Sequence, residues 1–142
     1  MKLTDTHIHL DLNEYADDLP QVLERSEAQG VNRWIVPAIS SANWARLPVL
    51  HQQYPNLYYA FGLHPWFLAN EAEQALTELE LLLQQRPAGL VAIGECGLDG
   101  AIEVPMTLQI TMLEKQLALA SQYQWPVILH CRKAHNELLR IV

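Results

Sequence analysis

The sequence predicts an α/β fold in which about five parallel strands alternate with helices. Five short apolar runs are rich in β-branched or aromatic residues, and each is followed by a segment with helical spacing. The runs cover residues 3–9, 31–38, 57–64, 90–95 and 127–131. Strict alternation of strand and helix is typical of βα units around a buried parallel sheet.

The first three helical segments carry their own start and stop signals. Pro20 suits the first turn of the first helix, and Gly30 suits its end. Pro48 removes a backbone donor from the second, so we expect a kink or two short pieces there. The third begins with a capping-box-like start at residues 70–73 and ends before Pro87.

A fourth helix follows Pro105, and a fifth begins near Lys133. The apolar stripe of the fourth is spaced three and four residues apart, at Met106, Ile110, Leu113, Leu117 and Ala120. About four and a half βα units fall short of the eight that close a barrel of roughly 250 residues. We therefore expect residues 1–142 to form a single incomplete domain containing the first four to five βα units.

Composition limits the functions that the chain can have. Nine Lys and Arg residues against sixteen Asp and Glu give a formal net charge of −7, so the surface as a whole should repel polyanions. Any phosphate chemistry must then be local, at a metal. The sequence shows no secretory signal and no membrane span, which favours a cytoplasmic location. Cys96 and Cys131 are expected to remain thiols.

Five chemically active side chains stand near the ends of predicted strands, where functional groups of parallel α/β folds collect. They are His7, His9, His64, Glu95 and His130. Imidazole nitrogen with carboxylate oxygen suits zinc, manganese, iron or cobalt and, with water, magnesium. A glutamate between imidazoles from different strands could bridge two ions, which would polarise a phosphoryl oxygen and generate hydroxide from water. Hydrolysis is the natural reaction for such a site.

Four short motifs in this order resemble those of the TatD-type metal-dependent hydrolases. They are DTHIH at 5–9, GLHP at 62–65, GECGLD at 94–99 and PVILHCR at 126–132. Each motif alone is weak evidence, but four collinear motifs with βα-sized separations are rarely met by chance. The resemblance extends over the whole chain.

The resemblance implies a partial (β/α)₈ TIM barrel of the amidohydrolase type, with deoxyribonuclease or related phosphodiesterase activity. It implies two divalent ions (Zn, Mg or Mn) and DNA or another phosphodiester as substrate. By matching motifs, His7 and His9 would hold one ion, Glu95 would bridge, and His130 would hold the second. His64 would face the substrate phosphate, which makes His64 and Glu95 the candidate catalytic residues.

This chain also departs from the family pattern. The family places a further metal-binding histidine after its sixth strand and an aspartate after its eighth, and this sequence ends before both. We expect the isolated chain to bind metal poorly and to turn over slowly. Two alternatives stay open: an amide or aminoacyl-ester hydrolase of the same superfamily, or a non-catalytic fragment that self-associates through an open barrel edge.

Three residues beside the candidate ligands carry less certain expectations. Arg132 follows His130 at the expected mouth and is interpreted as a phosphate contact. Asp99 is equally consistent with capping its loop and with bracing a ligand. Trp66 is expected mostly to pack, with stacking on a base as the less favoured alternative.

Overall fold

In the computed structural model, which describes residues 2–70 and 73–142, five parallel strands form one sheet in the sequential order β1-β2-β3-β4-β5. The strands are β1 (Leu3–Asp5), β2 (Val31–Pro37), β3 (Leu57–Phe61), β4 (Leu90–Asp99) and β5 (Val127–Arg132). The helices are α1 (Leu19–Ala28), α2 (Arg46–Gln53), α3 (Glu73–Gln85), α4 (Met106–Tyr123) and α5 (His135–Ile141). The predicted alternation of strands and helices is confirmed.

The first strand is shorter than predicted. It ends at Asp5, so His7 and His9 lie beyond the strand and not within it. The side chain of Asp5 accepts a hydrogen bond from the backbone N–H of His7 at 3.1 Å, which turns the chain out of the β ladder. One backbone bond, from Ile8 to Ile35, still holds this segment against β2.

The fourth strand is longer than predicted, and Glu95 lies inside it instead of at its carboxyl end. Its pairing with β5 shifts register between Ile93 and Cys96 and then continues to Asp99. The continuation depends on Gly97, because a Cβ atom there would lie 1.9 Å from the backbone oxygen of His130.

The helix boundaries follow the predicted signals. Pro20 lies at the start of α1, and Gly30 follows its end with a φ of +92°. A separate 3₁₀ turn, Ser41–Asn43, precedes α2, so the segment does form two short pieces, but Pro48 lies in the first turn of α2 and not at the break. The predicted capping box at 70–73 includes two residues that lie outside the described ranges.

The buried face of α4 differs from the predicted apolar stripe. The residues that it buries are Gln109, Met112, Leu113, Gln116 and Ala120, whereas Met106, Ile110 and Leu117 are half-buried. Two glutamines therefore occupy the face that the periodicity assigned to apolar side chains. They are tolerated there because their amide groups are hydrogen-bonded to backbone.

The core lies where the sheet packs against its helices. Its largest fully buried members come from β3, β4 and the helices, and include Tyr59, Phe61, Leu47, Leu79, Leu83, Ile93 and Leu113. Cys96 and Cys131 are both free, and burial raises the pKa of the Cys96 thiol to about 12.

No helix in the described part of the chain is long and apolar enough to span a membrane. Self-association through β1 and β5 stays a prediction.

Candidate metal centre

The carboxylate of Glu95 is the centre of a cluster of four histidines. Glu95 is 5% exposed. Its Oε2 atom lies 3.0 Å from Nε2 of His7 and 3.3 Å from Nε2 of His9. Its Oε1 atom lies 3.1 Å from Nδ1 of His130 and 3.8 Å from Nε2 of His64. The structure therefore brings all five predicted residues together, with one histidine pair facing each carboxylate oxygen.

Backbone bonds from the end of β2 position two members of this cluster. The N–H of Glu95 donates to the carbonyl of Ala38 at 2.8 Å, and the N–H of His64 donates to that of Ile39 at 2.9 Å. Ala38 and Ile39 follow β2 directly. The end of β2 therefore fixes the backbone at His64, which follows β3, and at Glu95, which lies in β4. The cluster is thus tied to the sheet and not only to flexible side chains.

In their neutral form, two of the histidines would present a lone-pair nitrogen to Glu95. The Nδ1 atom of His9 lies 3.0 Å from the carbonyl oxygen of Pro37, which can only accept, so Nδ1 carries the hydrogen. The Nε2 atom of His130 lies 3.1 Å from a carboxylate oxygen of Asp99, so Nε2 is the donor there. In the neutral imidazoles, Nε2 of His9 and Nδ1 of His130 are the lone-pair nitrogens. Such outer hydrogen bonds are typical of metal-binding histidines.

His64 has the opposite arrangement. Its Nδ1 atom accepts a hydrogen bond from the backbone N–H of Trp66 at 3.1 Å. Burial lowers the pKa of His64 to about 4, so the ring is neutral at pH 7 and its hydrogen is on Nε2. Nε2 therefore offers an N–H donor towards Glu95 and no lone pair. Although His64, Glu95 and His130 are close enough to hold an ion together, the hydrogen bonding distinguishes His64 from the other three histidines.

The charges in the cluster reinforce one another. Burial opposes ionisation of Glu95, but without a cation the hydrogen bond that protonated His9 donates and the charge of His7 outweigh it, and the pKa of Glu95 is lowered to about 2. The same hydrogen bond with Glu95 raises the pKa of His9 above its ordinary value, against the opposing effect of burial. At neutral pH the centre therefore contains a buried carboxylate anion, which a cation can use as a ligand.

Asp99 contacts both its own loop and the candidate ligand His130. It is completely buried. Its Oδ1 atom caps the loop by accepting from the N–H of Ala101 at 2.8 Å, and its Oδ2 atom accepts from His130 and from Trp66 Nε1 at 2.7 Å. Burial opposes its ionisation, but these bonds outweigh it and lower the pKa of Asp99. The Arg132 guanidinium lies 4.0 Å from Oδ2 with its side chain 53% exposed.

Two cavities lie near the carboxyl ends of the strands. One of about 320 Å³ contains His9, His64, Glu95 and His130 in its lining. A larger one of about 640 Å³ lies beside Asp11 and has no imidazole in its lining. We take the smaller cavity as the site because it contains the titratable cluster, whereas size alone favours the other.

Comparison with known proteins shows the family of this chain. Residues 4–142 match the family model described as TatD related DNase. The chain belongs to this TatD family. It is 41% identical over 138 residues to Escherichia coli YjjV, named an uncharacterized metal-dependent hydrolase, covering 96% of this chain and 53% of YjjV. It is 35% identical to an Edwardsiella piscicida protein named 3'-5' ssDNA/RNA exonuclease TatD, covering 99% of this chain and 54% of that one.

Solved structures of TatD-family proteins share the fold. The crystal structure of E. coli YjjV superposes with a TM-score of 0.93 at 40% identity, over 97% of this chain and 54% of YjjV. An Entamoeba histolytica hydrolase of the TatD family superposes with a TM-score of 0.86 at 24% identity, over 99% of this chain and 53% of that protein, and shows the fold alone. The five strands and their helices thus form a half-barrel, and the chain spans about half the length of these relatives.

The sequence analysis missed two residues that support the backbone around the candidate centre. Gln116 donates to and accepts from the backbone of Leu63, next to His64, at 3.3 and 2.8 Å. Gln109 does the same at the backbone of Asp99, at 3.0 and 2.7 Å. Both glutamines are 1% exposed. The only sequence signal was a pair of polar residues seven apart on an otherwise apolar helix face.

Proposed function

We propose that this chain supplies part of a two-cation centre that hydrolyses phosphodiester bonds in nucleic acid. The observation that supports it is the divided carboxylate of Glu95, which faces a histidine pair with each of its oxygens. The name of the Edwardsiella piscicida relative, an exonuclease of single-stranded DNA and RNA, supports the substrate class. The names of the metal-dependent hydrolase relatives support the use of metal.

The donor set suits divalent cations such as zinc, magnesium or manganese. His7 and His9 would hold one ion with Oε2 of Glu95, and His130 would hold the second with Oε1. When bound, such ions polarise a phosphoryl oxygen and lower the pKa of water to about 7. The residues fit this use because Glu95 is buried and anionic and because lone-pair nitrogens of His9 and His130 point inwards.

His64 and Arg132 have the chemistry to contact the substrate. The Nε2–H group of His64 is a neutral donor that can bond a phosphoryl oxygen without competing for a cation. Arg132 places an exposed guanidinium next to the centre, and its planar donors match a phosphate. Local contacts of this kind are needed because the chain as a whole carries a net charge of −7.

Metal titration tests the proposal. Isothermal titration of Mn²⁺ into the metal-stripped chain should show two weakly bound ions, and Glu95→Gln should weaken their binding further, by more than about 100-fold, since outer-sphere changes alone cost 10- to 100-fold. Glu103→Gln, an exposed residue of the loop after β4, is the matched control and should bind as the unaltered chain does. Equal binding by Glu95→Gln would contradict the proposal.

Substrate assays distinguish phosphodiester hydrolysis from the alternative of amide hydrolysis. The same variants are compared on a single-stranded oligonucleotide and on an amide substrate with Mn²⁺ present. Cleavage of the oligonucleotide that Glu95→Gln abolishes supports phosphodiester hydrolysis. Cleavage of the amide alone would contradict it and favour the amide hydrolase.

A further inference from the structure

The indole of Trp66 lies exposed at the mouth of the centre and yet is fixed. Trp66 is 51% exposed, whereas Trp34 and Trp44 are each 2% exposed, so the expectation that Trp66 mostly packs is wrong. Its Nε1 donates to the completely buried Asp99 at 2.7 Å, and its backbone N–H donates to His64. An aromatic ring held in solvent by a buried partner is typical of a surface that receives a ligand.

The ring adjoins the cavity that contains Glu95. Trp66, Phe67 and Ile39 supply an apolar wall to this cavity of about 320 Å³, beside the candidate ligands. The ring of His64 lies 5.7 Å from the indole centroid, at an angle of 86°, and is therefore not stacked face to face with it. A flat apolar group could accordingly lie against the indole in the same cavity as Glu95.

We propose that the Trp66 indole stacks on an unpaired nucleobase adjacent to the phosphate in the centre. This inference rests on the proposed function and deepens it, because it names the group that the apolar wall receives. A base within a duplex is covered on both faces by its neighbours, whereas a single-stranded end can offer a free face. Stacking on an aromatic side chain tolerates any base, so the site would select single strands and not a sequence.

The charge of the chain favours stacking as a source of affinity. With nine basic against sixteen acidic side chains, this chain as a whole repels a nucleic-acid backbone. Affinity must then come from the centre and from the bases themselves. The contribution of the base should consequently change little with salt, whereas phosphate binding should weaken.

Asp99 links the Trp66 indole to the centre. The same oxygen, Oδ2, accepts hydrogen bonds from Trp66 Nε1 and from His130 Nε2. Indole and candidate ligand therefore share one anchor, which keeps the stacking face at a set distance from Glu95. Trp66→Phe keeps an aromatic face and removes only the donor, whereas Trp66→Leu removes both.

The test compares two probes on the chain with Mn²⁺ present. One is a thymidine dinucleotide, and the other is the same phosphodiester carrying abasic sugars. Isothermal titration should show that the bases add about tenfold in affinity, and that this preference persists when salt is raised from about 50 to about 200 mM. Trp66→Leu should bind both probes equally, while Trp66→Phe and the control Trp125→Phe should keep most of the preference.

Each outcome decides the inference. If the unaltered chain shows no preference, or if the preference survives in Trp66→Leu, stacking on Trp66 is overturned, and Mn²⁺-dependent binding of the abasic probe still supports the proposed function. If neither probe binds with Mn²⁺ present, both proposals are overturned. Circular dichroism verifies that the variants fold, which the exposure of Trp66 leads us to expect.

Discussion

The two histidine pairs around Glu95 are held very differently. His7 and His9 follow a three-residue strand, and their side chains are 40% and 28% exposed. His64 and His130 are 8% and 19% exposed and lie beside the ten-residue β4. We call His7 and His9 the open half of the centre, because they are more exposed and lightly supported. We call His64 and His130 the buried half, because they lie within hydrogen-bonded structure.

The buried half is supported by several buried polar side chains, whereas the open half is supported mainly by backbone contacts. Asp99, Gln109 and Gln116 are buried, and their bonds fix His130, the backbone of Asp99 itself and the loop before His64. In the open half, Asp5 bonds the backbone of His7, and the backbone carbonyl of Pro37 accepts from Nδ1 of His9. We infer that stability and metal binding are coupled in the buried half and largely separate in the open half.

The largest expected difference is between the two aspartates that support the halves. Asp99→Asn weakens the acceptor of His130 and should lower Mn²⁺ affinity about 10- to 100-fold, as outer-sphere changes usually do. Asp5→Asn should change the affinity less than about threefold, because no bond to an imidazole is lost. Isothermal titration at pH 7 measures both, and equal losses would remove the distinction between the halves.

Replacement of a buried glutamine should destabilise the fold. Gln116→Met conserves size but leaves the N–H and carbonyl of Leu63 without their partners, which should lower the free energy of unfolding by about 1–3 kcal/mol. Gln122→Met on the exposed side of α4 is the control and should cost less than about 0.5 kcal/mol. Urea unfolding of the metal-free chains gives both values. Similar costs at both positions would show that the hydrogen bonds between Gln116 and the backbone of Leu63 do not stabilise the fold.

The lowered pKa of His64 predicts a pH dependence of stability. The pKa of His64 is lower in the folded chain than in the unfolded chain. Neutral His64 therefore contributes to the free energy of unfolding fully above pH 6.5, and this contribution is lost as pH falls towards about 4. Between pH 7 and pH 5 this should lower the free energy of unfolding of the metal-free chain by about 2 kcal/mol. Urea unfolding of His64→Asn should show a correspondingly smaller loss, and the exposed His135→Asn should not. The assignment fails if both variants respond alike.

The smallest expected effect concerns His7. Since its side chain is 40% exposed, His7→Ala should change the unfolding free energy of the metal-free chain by no more than about 0.5 kcal/mol. His130→Ala should cost about 1–3 kcal/mol because the completely buried Asp99 loses one of its hydrogen-bond donors. Thermal or urea unfolding of the two variants compares the halves directly, and a large cost at His7 would contradict the comparison.

The sequence was sufficient to predict the βα order and the residues of the centre. Histidines spaced two apart, and a glutamate and a histidine in later apolar runs, mark groups that parallel strands bring to one edge. Strand lengths were wrong because they depend on partners far along the chain: Asp5 turns the backbone at His7, and Gly97 permits pairing up to Asp99.

The support of the buried half could not be predicted in the same way. A glutamine on an apolar helix face leaves no periodic signal that tells which backbone it will bond. Likewise, the exposure of Trp66 depends on a bond to Asp99, which lies 33 positions away. Such contacts arise from tertiary packing, and they are the features that distinguish the two halves.

The close approach of the β5 backbone to Gly97 has a consequence for saturation mutagenesis. Any side chain at this position would collide with the carbonyl of His130, 1.9 Å from where its first carbon would be. A screen for tolerated replacements would rank Gly97 with the reactive groups although it has no functional atom. Intolerance at Gly97 would result from the close contact between β4 and β5. A map of intolerant positions would therefore include residues with a purely steric role as well as those of the centre.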